Sequence, residues 1–308
     1  MVTLAQVAPE VPPRPTGGGD REVQAGGPFP VPGTAAAADV LAELHRGLPE
    51  ACTARLAYTR WAFRSIPHLA CSRMLDVGCG RGSPTLELAR LTEGRIVGLD
   101  IDGDALAELA RRIRERQLTG RVRLVRGRME AMPFAPHAFD VVWAEGSTWV
   151  MGFEAALDGW SRYLVPGGGL VVHEMAWLRP EPPGEIVDYW RTRCPGIQTV
   201  PDYLAAAVRH GYDILAWRAL PEDVWWSSYY RPLAQRLLEI RPRCANSPDA
   251  LGVLAQEQQE VELFRKYSKW FGSAFFVMLK PVARWPPPSE RRSAQIAGGG
   301  GHRGGDRG

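Results

Sequence analysis

Short apolar runs alternate with segments of helical periodicity through the middle of the chain, and this alternation restricts the possible folds more than any other feature. Five strand-like runs occur between residues 73 and 175, and helical segments such as "DALAELARRIRERQ" lie between most of them. This order is typical of a parallel sheet that is covered by helices on both faces. The five runs are "RMLDVG", "GRIVGLDID", "RVRLVRG", "FDVVWAEG" and "GGLVVHEM".

Two further strand-like runs, "YDILAWRAL" and "SAFFVMLKP", are separated by a long helical stretch from about Tyr230 to Trp270. We therefore predict an α/β fold, Rossmann-like and doubly wound. Its mostly parallel sheet would have seven strands, with helices on both faces and a small helical and aromatic lid. In such sheets, ligands bind at the carboxyl ends of the strands, near the point where the strand order reverses.

Both ends of the chain are rich in Pro and Gly, and such segments cannot bury enough apolar surface to offset the entropy lost on ordering. We predict that residues 1–34 and 283–308 are disordered, and that residues 35–282 form one domain. The parts of this domain are N-terminal helices (35–70), a ligand-binding core (71–175) and a lid with the C-terminal strands (176–282).

Composition and charge exclude several functional classes. There is no run of about 18 apolar residues, so we expect no membrane span, and the first residues lack the features of a secretory signal. Five cysteines without a C-x-x-C pair favour reduced thiols in the cytoplasm over disulfides or a metal site. The net charge of +3 is concentrated after residue 282, so the folded region has no general attraction to nucleic acid.

Eight arginines between Arg111 and Arg128 form a dense basic segment. We interpret them as a solvated surface; the alternative is a patch for an acidic partner or RNA. The segment lacks the aromatic residues that single-strand binders place among their basic ones. The expected partner is therefore a small molecule, and the sequence predicts no oligomeric state.

A glycine loop, Gly78-x-Gly80-x-Gly82, follows the first strand directly. A dinucleotide site needs G-x-G-x-x-G/A, but Ser83 stands at the position of the last glycine, and the lysine of a phosphate-binding P-loop is absent. Asp76 would repel a pyrophosphate and attract a cationic ligand. Ser83 and Pro84 are predicted to be the cap and first residue of the next helix.

Asp100 ends the second strand, twenty residues beyond Gly80. A carboxylate at this place accepts hydrogen bonds from both ribose hydroxyls, so the predicted ligand is a nucleoside without phosphates. Ile101 follows it and could pack against an adenine face.

Five segments in order, "LDVGCGRG", "VGLDID", "GRMEAMPF", "FDVVWAEGS" and "LVPGGGLVVHE", resemble the motifs of class I S-adenosylmethionine-dependent methyltransferases. The ubiquinone/menaquinone-type small-molecule enzymes are the most similar group. The resemblance implies that S-adenosyl-L-methionine is the cofactor and that its methionine part lies at the glycine loop near Asp76. The implied cofactor-binding residues are Asp76, Gly78, Gly80, Gly82, Asp100 (ribose), Ile101 and Met129 (adenine) and Ala144.

One position departs from the family pattern. Family members often have an acidic residue before the Met129 position, where it accepts a hydrogen bond from the adenine amino group. This chain has Arg128 there, and a guanidinium cannot accept a hydrogen bond. Either Glu130 or the backbone would replace it, or adenine recognition is looser.

Three polar residues at the ends of the fourth and fifth strands are candidates for catalysis or binding. Methyl transfer needs a general base only when the acceptor is a hydroxyl, an activated carbon or a protonated amine. Glu145 is the first candidate and His173 the second. Because strand residues alternate, His173 and Glu174 should face opposite sides of the sheet.

Aromatic residues are abundant after strands four, five and six, where substrate lids commonly lie. They could line a pocket for a flat or cationic acceptor, or they could be packing residues of the core and lid. The predicted substrate-binding residues are Trp149, Trp177, Trp225, Trp226, Tyr229 and Tyr230.

The sequence thus predicts methyl transfer from S-adenosylmethionine to a small-molecule acceptor by in-line displacement. A non-catalytic module that binds the same cofactor is the alternative. A nicotinamide-dependent oxidoreductase on the same fold is disfavoured by Asp76 and Ser83.

Overall fold

The computed structural model describes residues 34–46, 48, 53–67 and 73–282. The segments predicted to be disordered, apart from Thr34, lie outside the described residues. The strands are β1 (Arg73–Val77), β2 (Arg95–Asp100), β3 (Val122–Arg126), β4 (Phe139–Glu145), β5 (Leu164–Trp177), β6 (Gln198–Thr199), β7 (Asp213–Ala219) and β8 (Phe271–Leu279). The α-helices are α1 (Ala35–Arg46), α2 (Thr53–Arg64), α3 (Ser83–Leu91), α4 (Gly103–Glu115), α5 (Phe153–Ser161), α6 (Gly184–Arg193), α7 (Val200–Arg209), α8 (Glu222–Trp225), α9 (Arg231–Ile240) and α10 (Pro248–Tyr267).

The strands form one sheet in the order β3-β2-β1-β4-β5-β8-β7, and the short β6 pairs with the end of β5. The α/β fold and the mostly parallel sheet are confirmed. The seven predicted strands all occur, and β6 is an eighth that the sequence did not predict. β8 runs antiparallel to both of its neighbours, β5 and β7. The strand order reverses between β1 and β4, so the ligand crevice of this fold class is expected at their carboxyl ends.

Alternating side chains of the strands pack against helices on both faces of the sheet. Leu75 and Val142 point to the face covered by α5 and α7. Met74, Val141 and Trp143 point to the other face, which α2, α3 and α4 cover. This alternation decides which residues at the strand ends can share a site.

A helical layer covers the carboxyl end of β5 and the amino end of β8. The stretch predicted as one long helix is two, α9 and α10, joined by a 3₁₀ turn at Arg241–Cys244, and a π-helical segment, Trp226–Tyr230, precedes α9. α6 and α7 were not predicted. α6, α9 and α10 pack around Trp177 and Phe271, so this layer has a core of its own. None of the helices among the described residues is long and apolar enough to cross a membrane.

Candidate functional site

The glycine loop after β1 depends on left-handed backbone at Gly78, Gly80 and Gly82, with φ of 72°, 51° and 81°. A Cβ on Gly78 would lie 2.4 Å from the Cβ of Ser147, and one on Gly82 would lie 2.1 Å from Cδ1 of Leu109. A Cβ on Gly80 would meet no described atom within 4 Å. Gly78 and Gly82 therefore permit close packing, whereas Gly80 borders open space.

The loop ends differently from the prediction. Gly82, not Ser83, is the N-cap of α3, because its left-handed conformation turns the chain into the helix. Ser83 and Pro84 are the first two helical residues. The Ser83 hydroxyl is buried and has no hydrogen-bond partner in the part of the chain that the structure describes.

Asp100 is fixed against the loop at the end of β2. One carboxylate oxygen accepts from the backbone N–H of Gly80 at 2.7 Å, and the other accepts from the N–H of Asp102 at 2.9 Å. Each oxygen keeps a further lone pair, so both can accept from vicinal hydroxyls. Ile101 is 42% exposed beside it, and Met129 Cε lies 3.7 Å from the place of a Gly78 Cβ. The structure brings these predicted residues to one edge.

A cavity of about 260 Å³ opens at the carboxyl ends of β1 and β4. Two carboxylates, two arginines and the glycine loop line it. Its lining residues are Arg55, Asp76, Gly78, Cys79, Gly80, Arg81, Gly82, Ser83, Pro84 and Glu145.

Asp76 is almost completely buried at this cavity, and its carboxylate accepts a hydrogen bond from the Thr85 hydroxyl at 2.6 Å. Burial raises the pKa of Asp76 to about 7, and the charges of Glu145 and Asp100 add to the effect, while the bond from Thr85 opposes it. A positive ligand would restore the charged form.

Glu145 lies at the end of β4 and lines the same cavity. Its Oε1 accepts from the Thr59 hydroxyl and from the Trp143 indole N–H, both at 2.9 Å. Its Oε2 is buried without a hydrogen-bond partner among the described residues. Burial raises the pKa of Glu145, and the charge of Arg55 acts in the opposite direction. Its role as a base remains a prediction.

His173 pairs with Glu145 in the register of β5 and β4. It is buried, its ring stacks on Phe275 with centroids 4.5 Å apart, and its Nε2 lies 2.6 Å from the Ser273 hydroxyl. Burial lowers the pKa of His173 well below its ordinary value, so the imidazole is neutral. A buried neutral imidazole with this pKa is a poor proton acceptor, which weakens its prediction as a base.

Glu174 lies on the opposite face of β5, as strand alternation predicts. It accepts hydrogen bonds from the Thr148 hydroxyl and from the backbone N–H of Met175. Burial raises its pKa. These contacts hold the turn after β4 against β5, which is a structural role.

Two predictions about cofactor contacts differ from the structure: that of Ala144, and that of Glu130 as an acceptor for adenine. Ala144 has no exposed surface, and its side chain belongs to the core on the α5 face, so it does not line the cavity. Arg128 pairs with Glu130 at 3.0 Å on the surface. Glu130, which was expected to supply the acceptor that Arg128 lacks, is therefore paired with Arg128 itself.

The predicted aromatic lid divides into two groups. Tyr230 is fully buried, stacks on Phe264 with centroids 4.0 Å apart and donates its hydroxyl to Glu260 at 3.3 Å. Trp177 is also buried in the core of the helical layer. Packing, the alternative interpretation, describes these two residues.

The other four aromatic residues are partly exposed. Trp225 donates its indole N–H to Ser273 at 3.0 Å, and Tyr229 lies edge-on to it at 5.8 Å. Trp149 donates to the backbone carbonyl of Gly146 at 3.1 Å. The fourth, Trp226, lies 4.8 Å below the guanidinium of Arg265. Trp225 and Trp149 thus contact segments that adjoin Glu145 and His173.

Sequence reasoning missed the contribution of α2. Arg55 and Thr59 stand one helical turn apart on this helix and reach the cavity and Glu145, respectively. The same helix is tied to α3, since Arg60 pairs with Glu87 at 2.6 Å. No short motif marks these residues, because α2 meets the sheet only in the folded chain.

A family described as a methyltransferase domain matches residues 74–168, which contain the glycine loop, Asp100 and Glu145. This match agrees with the resemblance to class I S-adenosylmethionine-dependent methyltransferases over residues 74–168, about a third of the chain. The match to the methyltransferase family ends within β5, so α6 to α10 lie outside the matched region.

Other methyltransferases are similar over more of the chain. The 27-O-demethylrifamycin SV methyltransferase of Amycolatopsis mediterranei is 28% identical over 73% of this chain and 85% of its own length. By contrast, the chain spans only 28% to 45% of the length of the fungal sterol 24-C-methyltransferases that it matches.

Two solved structures resemble this chain in fold. The [4+2]-cyclase SpnF is 26% identical, with a TM-score of 0.63 over 80% of this chain and 93% of its own. A methyltransferase from Geobacter sulfurreducens, in complex with S-adenosyl-L-homocysteine, is 21% identical, with a TM-score of 0.64 over 76% of this chain and 93% of its own.

Proposed function

We propose that the protein transfers a methyl group from S-adenosyl-L-methionine to a small-molecule acceptor by in-line displacement. The observation that carries this proposal is the cavity at the ends of β1 and β4, where Asp76 and Glu145 face Arg55 beside the glycine loop. The two carboxylates favour a ligand that carries positive groups and disfavour a diphosphate, and Arg55 can pair with a negative group of the same ligand.

The residues present fit the cofactor. Gly80 leaves open space at the loop, and the buried Ser83 hydroxyl and Glu145 Oε2 each lack a partner within the described chain. Asp76 and Glu145 would attract the ammonium and sulfonium groups, and Arg55 with Ser83 would hold the carboxylate. Asp100 would accept from the ribose, while Ile101 and Met129 would flank the adenine.

When bound, the cofactor supplies an electrophilic methyl group on sulfur. The chain contributes orientation: holding the two reacting atoms in line supplies about 7–11 kcal/mol of the barrier reduction. Glu145 contributes a proton acceptor when the substrate needs one, which adds about 10²–10⁴-fold. Its burial raises its pKa and so favours acceptance of a proton.

We also propose that the protein works in the cytoplasm on a small acceptor and not on nucleic acid. Cys79, Cys194 and Cys244 are free thiols in the described part of the chain, as expected in a reducing compartment. The relatives named above include one that acts on a rifamycin, by its name a small molecule.

A second candidate, cofactor binding without methyl transfer, is favoured by one observation. A protein of the same fold and 26% identity is named as a [4+2]-cyclase. Binding of the cofactor and its turnover must therefore be measured separately.

Isothermal titration calorimetry tests the cofactor first. We expect S-adenosylhomocysteine to bind the full-length protein and NAD to give no heat. Asp100→Ala should abolish binding, whereas Asp104→Ala, an exposed acid on α4, should not. Tight NAD binding without S-adenosylhomocysteine binding would overturn the proposal. Incubation of a cell extract with labelled S-adenosylmethionine then distinguishes transfer from binding alone.

A further inference from the structure

A chain of three polar side chains connects the lid to the end of β5. The indole N–H of Trp225 points to the Ser273 hydroxyl at 3.0 Å, and the same hydroxyl lies 2.6 Å from His173 Nε2. Ser273 and His173 are buried, so the hydrogen-bond inventory of this chain restricts where each proton lies.

The indole N–H can only donate, so the Ser273 oxygen accepts from Trp225. The serine retains one hydrogen to donate, and His173 Nε2 is the acceptor beside it. The reverse arrangement, with Nε2–H donating to serine, would leave both the serine hydrogen and the Nδ1 lone pair unsatisfied, whereas the first leaves only the Nδ1–H group without a partner. Each unsatisfied buried group costs about 1–3 kcal/mol. The first arrangement is therefore favoured, and it makes His173 the neutral Nδ1–H tautomer.

This Nδ1–H group is buried and has no hydrogen-bond partner in the described part of the chain. Its neighbour in register, Glu145, has a buried Oε2 that likewise lacks a partner among the described residues. Both side chains point to the sheet face that carries Trp143 and Phe275. The His173 Nδ1–H group is a donor and Glu145 Oε2 is an acceptor. The positive charge of Arg55 lowers the pKa of both side chains.

We propose that His173 and Glu145 together recognise a hydroxyl group of the methyl acceptor, and that Ser273 and Trp225 are positioning residues which hold His173 as a donor. A hydroxyl satisfies both orphaned atoms, because its oxygen accepts from Nδ1–H while its hydrogen is donated to Oε2. His173 is then an orienting group, not a base. The substrate class, an alcohol or phenol, rests on the proposed function; the tautomer does not.

Both atoms are buried in this structure, and Trp225 of the lid contacts Ser273, which is the partner of His173. Trp225 ends α8, immediately before the π-helical segment, and α8 contacts α2, which carries Arg55 and Thr59. Displacement of Trp225 would expose Ser273 and remove the hydrogen bond that helps to hold His173 as the Nδ1–H tautomer. The proposal therefore links lid position to the hydrogen-bonding state of His173.

Nitrogen NMR of the full-length protein, labelled with ¹⁵N-histidine, tests the tautomer directly. We expect His173, assigned by loss of its signals in His173→Gln, to show a protonated Nδ1 and an unprotonated Nε2 from pH 6 to 8. In Ser273→Ala the Nε2–H form should appear, because the donor to Nε2 is gone. Ser273→Thr, which keeps the hydroxyl, should retain the wild-type spectrum, and Trp225→Phe should give a mixture.

An Nε2–H or cationic His173 in the wild type, or an unchanged spectrum in Ser273→Ala, would overturn the positioning role. The substrate class is tested with [methyl-¹³C]-S-adenosylmethionine and a cell extract, since the ¹³C shift of the product separates O-methyl from N-, S- and C-methyl groups. An O-methyl product supports the proposal. Any other methyl product refutes the hydroxyl assignment and leaves methyl transfer intact. Absence of any labelled product, together with absence of S-adenosylhomocysteine binding, would refute the proposed function itself.

Discussion

Two pairs of carboxylates differ in the partners that they contact. Asp76 and Glu145 lie at the cavity, whereas Glu257 and Glu260 lie on α10. Burial raises the pKa of both Asp76 at the cavity and Glu260 on α10 to about 7. Glu260 accepts from the Tyr189 hydroxyl at 3.1 Å and lies 3.4 Å from the guanidinium of Arg193. Asp76 has an uncharged partner, Thr85, and faces a cavity.

The second member of each pair repeats this contrast. Glu257 lies 3.5 Å from Arg193 and 3.3 Å from His45, so α10 is tied to α6 and α1. Glu145, in contrast, is held at one oxygen by Thr59 and leaves the other free of described partners. Burial alone does not distinguish a structural carboxylate from a functional one; the partners do.

The largest expected effect comes from Arg193→Ala, which would leave two buried carboxylates without their shared cation. We expect the free energy of unfolding to fall by about 3–5 kcal/mol. Urea denaturation followed by tryptophan fluorescence measures it. Arg191→Ala, an exposed residue of the same helix paired with Asp188, is the control and should cost less than about 1 kcal/mol. Equal losses in both variants would remove the contrast between the two carboxylate pairs.

The glycine loop should show the same contrast between packing and ligand binding. In Gly82→Ala, strained backbone and the clash with Leu109 should cost about 2–4 kcal/mol of unfolding free energy. Gly80→Ala should lower the free energy of unfolding by only about 1 kcal/mol. Its backbone is also left-handed, but its Cβ would meet open space and cause no clash. Its affinity for S-adenosylhomocysteine should nevertheless fall about tenfold. Thermal unfolding and calorimetry check both, and a stability loss in Gly80→Ala as large as in Gly82→Ala would contradict the assignment.

The smallest expected effect concerns protons. A cationic ligand beside Asp76 favours its ionised form, so binding of S-adenosylmethionine at pH 6 should release up to about one proton. Calorimetry in buffers of different ionisation enthalpy counts it. Asp76→Asn should abolish the release and weaken binding by about 10–100-fold. Glu260→Gln should change neither the proton release nor the affinity. A change in either quantity would contradict the distinction between the two carboxylate pairs.

The pH dependence of stability follows from the same carboxyl group. The folded chain binds the Asp76 proton more tightly than the unfolded chain, whose pKa is near the ordinary 3.8. This group therefore favours folding fully below pH 3.8, and its contribution is lost as the pH rises to about 7. Asp76→Asn should flatten that part of the stability profile.

The sequence predicted the part of the site that one continuous segment of the chain forms. The glycine loop, Asp76 and Asp100 lie on one β-α-β unit, where a short motif fixes both backbone and chemistry. The strand alternation that separates His173 from Glu174 was predicted for the same reason. A single strand-to-helix turn was one residue wrong, because Gly82 rather than Ser83 caps α3.

Contacts across long stretches of chain could not be predicted. Thr59 meets Glu145 across 86 residues, and Ser273 meets His173 across 100. The aromatic residues of the lid shared one sequence signature, yet Tyr230 is core while Trp225 contacts the site's edge. Periodicity does not tell which neighbour an aromatic ring will find, because that depends on the packing of α9 and α10.

The position of β8 has a consequence for synthesis on the ribosome. It is the last strand in the order of the described chain, yet it lies inside the sheet between β5 and β7. During translation, β5 and β7 emerge first and each keeps an open hydrogen-bonding edge until residues 271–279 leave the exit tunnel. The nascent chain is therefore exposed to misassociation until the final described strand inserts, and a chaperone would protect it best at that stage.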